Sequence, residues 1–352
     1  MGSRPSGISG SRGAAVLGLS EYQSPLEVWQ RIMEERKPGW NAAHGYTLPP
    51  DPDNAAIRWG NAFEDAVFAM AQERRGVRIP LTTREQLWST NGSDRMGPGM
   101  PGDGLDWFIT CHIDGRYEDG ALHEGKTAGY FAFLDSWGEP GTDRIPTAYQ
   151  LQVQHQMLCT GAPSAVVSVL VFPRRPDEWE QAGVALARHV GRSDDLEWFV
   201  HSPARVADIP CMQWARALDE MGYVHQYTVA ARPSLQAELV SRYREWWETY
   251  VIGECEPEPR TPDDVARLFP APKGTIVADE QMQRWLTEYA EIGAEIGGTG
   301  RLAKRRDELR VLVLDTARKL DAQLDDESRE KTVFRDAQGK KLGQWNGKVF
   351  RT

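Results

Sequence analysis

Residues 112–127 read His-Ile-Asp114-Gly-Arg-Tyr-Glu-Asp119-Gly120-Ala-Leu-His-Glu124-Gly125-Lys126-Thr127. Asp119-Gly120 is a strong hairpin signal, because both central positions of the favoured turn must tolerate positive φ. It predicts two antiparallel strands, Phe108–Asp114 and Ala121–Thr127. Side chains two apart on a strand share a face, so Glu124 and Lys126 project together. The hairpin folds Asp114 back beside them. Two carboxylates about 4 Å apart repel by roughly 4 kcal/mol at an effective dielectric of 20. Either one of them stays protonated, or a divalent cation holds the two together. The arrangement asks for a metal.

The bulk of the chain narrows what such a site can serve. At 352 residues it is long for a single core, so one large domain with an appendage is the expectation. No apolar run is long enough to span a membrane, and the start has the pattern of neither a signal peptide nor a transit peptide. Cys111, Cys159, Cys211 and Cys255 form no C-x-x-C pair. That excludes a zinc ribbon and a clustered iron–sulfur motif, and points to buried thiols in a reducing cytoplasm. A net charge of −10 argues against coating nucleic acid by bulk electrostatics. It leaves room for an enzyme that meets DNA through a local patch and bound metal ions.

Working outward, Ser9 or Ser11 caps a short apolar helix, and Arg4 and Arg12 flank it. The serines serve equally as caps or, with the arginines, as an anion site. Ser24-Pro25 opens a helix through Arg36. A second helix, roughly 55–76, carries Glu64 among apolar residues; a glutamate on a helix is ordinarily solvated. The stretch 128–146 (Tyr130, Phe131, Phe133, Trp137) reads as an aromatic loop that packs or lies along a nucleic-acid strand. The helix 147–159 places four glutamines within seven residues, and Gln152 and Gln156 share a face at i,i+4. Residues 165–172 form a strand buried on both faces. A linker at 253–262 separates residues 1–255 from 256–352. The second part holds an antiparallel helical hairpin, a basic cluster (Lys304, Arg305, Arg306, Arg310) and a terminal β-hairpin through 336–339.

Taken in order, Arg4…Ile8-Ser9-x-Ser11, Trp59-Gly60-x-x-x-Glu64, Asp114-Gly115…Glu124-x-Lys126 and Ala148-Tyr149-x-x-Gln152-Val153-Gln154 resemble the lambda-exonuclease, or YqaJ-type, phage recombination exonucleases of the PD-(D/E)xK nuclease superfamily. The resemblance covers roughly residues 4–172. It implies an α/β fold, a restriction-endonuclease-like three-layer core with a central mixed sheet flanked by helices. The C-terminal helical hairpin is an appendage to that core. It implies that Asp114, Glu124 and the carbonyl of Gly125 ligate Mg²⁺ or Mn²⁺, two ions per site, with Glu64 reaching the metal from its helix. Lys126 would orient and activate the attacking water, Gln152 would support it, and Arg4, Ser9, Ser11 and Arg12 would grip a 5′-phosphate.

The activity implied is 5′→3′ resection of linear duplex DNA, leaving 3′ tails for a single-strand annealing protein or recombinase. A trimeric ring and a phage or prophage origin in a bacterial cytoplasm are implied too. Gly125 departs from the family, which commonly has an apolar residue there, and the region from 256 onward lies outside the core enzyme. A metal-dependent endonuclease of the same fold and a non-catalytic DNA-end or recombinase-binding module are the competing readings.

Overall fold

The computed structural model describes residues 7–46, 55–80, 88–89, 107–175, 177–178, 181–182, 211–268, 274–294, 301–320, 331–346 and 350–352. Helices α1 (Gly10–Val16), α2 (Pro25–Arg36), α3 (Trp40–Ala43) and α4 (Ala55–Arg75) come first, then strands β1 (Trp88–Ser89), β2 (Thr110–Cys111), β3 (Gly115–Arg116) and β4 (Leu122–Gly129). α5 (Tyr130–Ser136), α6 (Thr147–Thr160), β5 (Ser164–Phe172), α7 (Cys211–Glu220), β6 (Val224–Ala230) and α8 (Pro233–Trp246) follow. After a π-helical turn at Trp247–Ile252 come α9 (Pro262–Leu268), β7 (Thr275–Val277), α10 (Glu280–Ala294), α11 (Arg301–Lys319), β8 (Thr332–Arg335), β9 (Lys341–Trp345) and β10 (Phe350–Arg351). No described helix is long and apolar enough to cross a membrane.

The chain forms two compact units, one of residues 7–14 and 50–245, the other of 1–6, 15–49 and 246–352. In the first, β3-β4-β5-β6 make a mixed sheet: β4 runs parallel to β5, and β3 and β6 are antiparallel to their neighbours. β5 is buried along nearly its whole length, as its β-branched run requires. Phe63, Val67 and Met70 of α4 and Trp214 and Leu218 of α7 pack with Leu170 on one face. The glutamines of α6 reach the other face at Glu124. The fold is therefore mixed α/β, with helices on both faces of this sheet.

Two expectations need correction. The stretch 108–114 is not one strand of the hairpin: Ile8 bridges Ile109, β2 pairs with β1, and only Gly115–Arg116 pairs with β4. The backbone of 109–111 is taken by other partners, which shortens the hairpin without moving its turn. Gly120 there has φ +91°. The supposed aromatic loop contains α5, because residues 130–136 are free of Gly and Pro, and the helix-breaking residues lie outside it at Gly129 and Gly138. Of the cysteines, Cys111 and Cys159 are buried free thiols as expected, whereas Cys255 is exposed.

In the second unit α10 and α11 pack around Met282, Leu286, Leu309 and Val313, against Phe334, Trp345 and Phe350 of a four-stranded sheet ordered β10-β9-β8-β7. The basic cluster is engaged within this unit. Arg305 holds Glu288 through two nitrogens at 2.7 and 3.0 Å, Arg306 lies over Tyr289, and Arg310 lies over Trp345. Residues 15–49 join the same unit through polar contacts. Trp29 Nε1 donates to the Tyr250 carbonyl at 2.6 Å, and Tyr46 Oη donates to Glu256 at 2.6 Å.

Ser24 caps α2 by accepting from the Glu27 amide at 3.1 Å, and donates its hydroxyl to the buried Asp264 at 2.5 Å. Asp264 in turn accepts from the Arg260 and Thr261 amides. Ser24→Ala removes the cap and one donor to a buried carboxylate. It is expected to destabilise this unit by about 1–2 kcal/mol, read as a lower midpoint in urea melts.

Candidate active site

β4 presents Glu124 and Lys126 on one face and Gly125 and Thr127 on the other, by strand alternation. The β3–β4 register sets Gly115 against His123, so continuing it brings Asp114 opposite Glu124. The contact that results is backbone to carboxylate: the Gly125 amide donates to Asp114 Oδ2 at 2.8 Å. Asp114 is partly exposed, while Glu124 is 1% exposed.

Glu124 is held by three donors. Lys126 Nζ reaches Oε1 at 2.5 Å, Gln152 Nε2 reaches Oε1 at 2.6 Å, and Gln156 Nε2 reaches Oε2 at 2.6 Å. Burial pushes the Glu124 carboxyl above the usual carboxylate range, and the charge of Asp114 adds to this. Lys126 and Gln156 pull the other way without reversing it. For Lys126, burial favours the neutral amine, but the charges of Glu124 and Asp114 outweigh it and raise the ammonium above its ordinary value. Its Nζ also lies 4.9 Å from the centre of the Tyr149 ring, a cation–π contact that further favours the charged form.

The structure brings Asp114, Glu124, Gly125, Lys126 and Gln152 together, with Gln156 and Tyr149 beside them. The signal for Gln156 was its i,i+4 spacing from Gln152. Glu64 shares the α4 face of Gly60 and Val67, which meets β4 at Thr127 and Gly125, yet its side chain is exposed. Among the described residues no three His, Cys, Asp or Glu side chains cluster as a cation site.

Arg4 lies outside the described residues. Ser9 and Ser11 face each other, hydroxyl to hydroxyl, at 3.2 Å, and Arg12 Nη1 donates to the Gly7 carbonyl at 3.1 Å. The loop is pinned because the Ile8 amide donates to the Phe108 carbonyl at 2.7 Å. Gly7 is needed there, since a Cβ would fall 2.4 Å from that same carbonyl. A Cβ on Gly10 would lie 3.4 Å from Gln156 Cγ and 3.6 Å from Gln152 Cγ. The serine loop thus adjoins the glutamines that hold Glu124.

Residues 1–163 match the model of the YqaJ-like viral recombinase domain. This part of the chain is similar to the YqaJ-like family. Every site residue named above falls inside the YqaJ-like match. Among solved structures, an alkaline exonuclease from Laribacter hongkongensis is similar at 15% identity and TM-score 0.42, covering 71% of this chain and 90% of that one. The same exonuclease in complex with dAMP gives 15% and 0.41, over 70% and 89%. A phage-related exonuclease from Haemophilus somnus 129PT gives 13% and 0.35, over 71% and 96%. These likenesses are too distant to carry function. No curated protein matches.

Gly125, the departure from the family pattern, has a local reason. A Cβ there would lie 3.4 Å from Val67 Cγ1 and 3.6 Å from Asp114 Oδ2, ordinary contact with nothing to spare beyond it. Gly125→Ala is therefore expected to fold with wild-type stability. Gly125→Val drives a methyl against α4 or Asp114 and is expected to cost about 1–3 kcal/mol, seen by comparing the two melts.

Proposed function

We propose that this chain is a metal-dependent deoxyribonuclease, a 5′→3′ exonuclease on linear duplex DNA that leaves 3′ single strands for recombination. The observation that carries the reading is the Lys126 ammonium bonded to a buried Glu124 beside Asp114, inside a YqaJ-like domain. An all-oxygen donor set of Asp114, Glu124 and the Gly125 carbonyl suits a hard cation such as Mg²⁺ or Mn²⁺, which keeps water in much of its shell. The third carboxylate of the expected set, Glu64, would join directly or through water. When bound, the ions supply a water of lowered pKa and neutralise charge on the leaving oxygen.

The chain's own groups do the rest. Lys126 donates to Glu124, and from there it orients the attacking water and stabilises charge on the phosphate. Gln152 fixes the Oε1 side of Glu124 and leaves Lys126 a defined partner. Tyr149 backs the Lys126 ammonium. The serine loop, with Ser9, Ser11 and Arg12, has the donors and position to receive a terminal phosphate, and Arg4 belongs with it by resemblance. A trimeric ring around DNA and a partnering single-strand annealing protein or recombinase complete the proposal.

Duplex DNA labelled at either the 5′ or the 3′ end is the deciding substrate. Release of the 5′ label first, only with Mg²⁺ or Mn²⁺, is expected; rapid cutting of closed circles would make the enzyme an endonuclease instead. Asp114→Ala and Lys126→Ala are expected to lower turnover by about 10²–10⁴-fold while gel-shift binding of DNA survives. Retained turnover in both would remove the site assignment. Dephosphorylated 5′ ends are expected to be digested more slowly than phosphorylated ones. Equal rates on the two would count against the serine loop as the phosphate pocket.

A further inference from the structure

Glu124 offers four lone-pair positions on its two oxygens. Lys126 and Gln152 occupy both on Oε1, at 2.5 and 2.6 Å, and Gln156 occupies one on Oε2, at 2.6 Å. One position, on Oε2, stays open among the described residues, and the donor that fixes its direction is Gln156. We propose that Gln156 is a positioning residue, which turns Oε2 of Glu124 so that its remaining lone pair faces the divalent cation. The inference rests on the nuclease reading above and assigns a residue that reading did not need.

The assignment of donor and acceptor follows from Glu124. With the amide turned over, Gln156 Oε1 would oppose Oε2 as acceptor against acceptor at 2.6 Å, so Nε2 faces the carboxylate. A simple packing role explains the residue poorly. Gln156 is 2% exposed, and its Oε1 is buried with no hydrogen-bond partner among the described residues. A half-satisfied buried amide is a net cost to the fold, and methionine would fill the same volume without it. The bond to Glu124 is what the amide supplies. The backbone of the residue is fixed independently, since its carbonyl accepts from Thr160 Oγ1 at 2.7 Å.

The test compares the full-length wild type with Gln156→Met, which keeps the length and removes the donor, and Gln156→Glu, which keeps the shape and sets an acceptor against Oε2. Mn²⁺ affinity of the DNA-free protein is read by calorimetry, alongside kcat, KM for duplex DNA and the melting temperature. Gln156→Met is expected to melt near wild type and Gln156→Glu below it, since it sets a second buried carboxyl against Glu124; both are expected to bind Mn²⁺ more weakly by about 10–100-fold. At subsaturating Mn²⁺, kcat is expected to fall in step while KM for DNA holds, and excess Mn²⁺ to restore part of the loss.

Folded variants with wild-type affinity and kcat overturn the proposal and leave Gln156 as packing. So do two variants that both fail to fold, or a wild type that binds no Mn²⁺. Should only Gln156→Met fail to fold, Gln156→Glu decides by the same readings. A wild type that binds Mn²⁺ in a Gln156-dependent way but cleaves no DNA sinks the nuclease reading while keeping the role of Gln156 toward the cation.

Discussion

A buried carboxylate is the constraint around which the first unit is built. Removing Glu124 from water costs several kcal/mol in effect, and the fold tolerates it because one ammonium and two amides converge on the two oxygens. The balance is still unfavourable. Burial, then Asp114, keeps the Glu124 carboxyl above its ordinary range. A group whose pKa rises on folding contributes stability below its unfolded value and loses it as pH climbs through the folded one. At neutral pH Glu124 therefore works against the fold. Lys126 has the same direction of shift but the opposite consequence, because as a cation it remains charged, and stabilising, throughout that range.

Much of this was legible in the sequence, for reasons that can be named. Strand alternation placed Glu124 with Lys126, the Asp119-Gly120 turn returned Asp114 to them, and the i,i+4 spacing put Gln152 and Gln156 on one helix face. Each is a local rule, acting within a few residues. What the sequence did not disclose depends on distant partners. Thr110 and Cys111 have the composition of a hairpin strand, but Trp88 and Ser89 compete for them, and Ile8 takes Ile109. The helix Tyr130–Ser136 was hidden because its flanking glycines and proline dominate the composition of the surrounding stretch.

The grouping of residues 15–49 with the C-terminal region was the least readable feature. No periodicity links Ser24 to Asp264 or Tyr46 to Glu256, although single hydrogen bonds join both pairs. The acidic, proline-rich stretch after Gly253 has the composition of a linker, yet Glu256 also accepts from Arg318, and Asp264 caps the turn that begins α9. Charges that look solvated in a sequence become structural once a partner arrives from far along the chain. The cluster from Lys304 to Arg310 follows the same logic. A basic patch invites a nucleic-acid reading, but Arg305 is held by Glu288 in a two-pronged pair, and two of its neighbours cover aromatic rings.

The cost at Glu124 and the proposed chemistry are then two sides of one arrangement. With three of four acceptor positions filled by the protein, the carboxylate cannot rotate to suit a ligand, and a cation must fit the orientation already present. Such preorganisation places the free-energy cost in folding instead of in the reaction. A divalent ion that binds only the folded, ionised form returns part of that cost, in proportion to its concentration over its dissociation constant. Because ionised Glu124 is least stable in the metal-free protein, the gain from the ion grows as pH rises through the raised carboxyl value. Asp114, partly exposed and held through the Gly125 amide, is the more accessible of the two carboxylates. The site thus pairs one rigid carboxylate with one reachable from solvent, an order that would suit the proposed cation arriving with most of its water still attached.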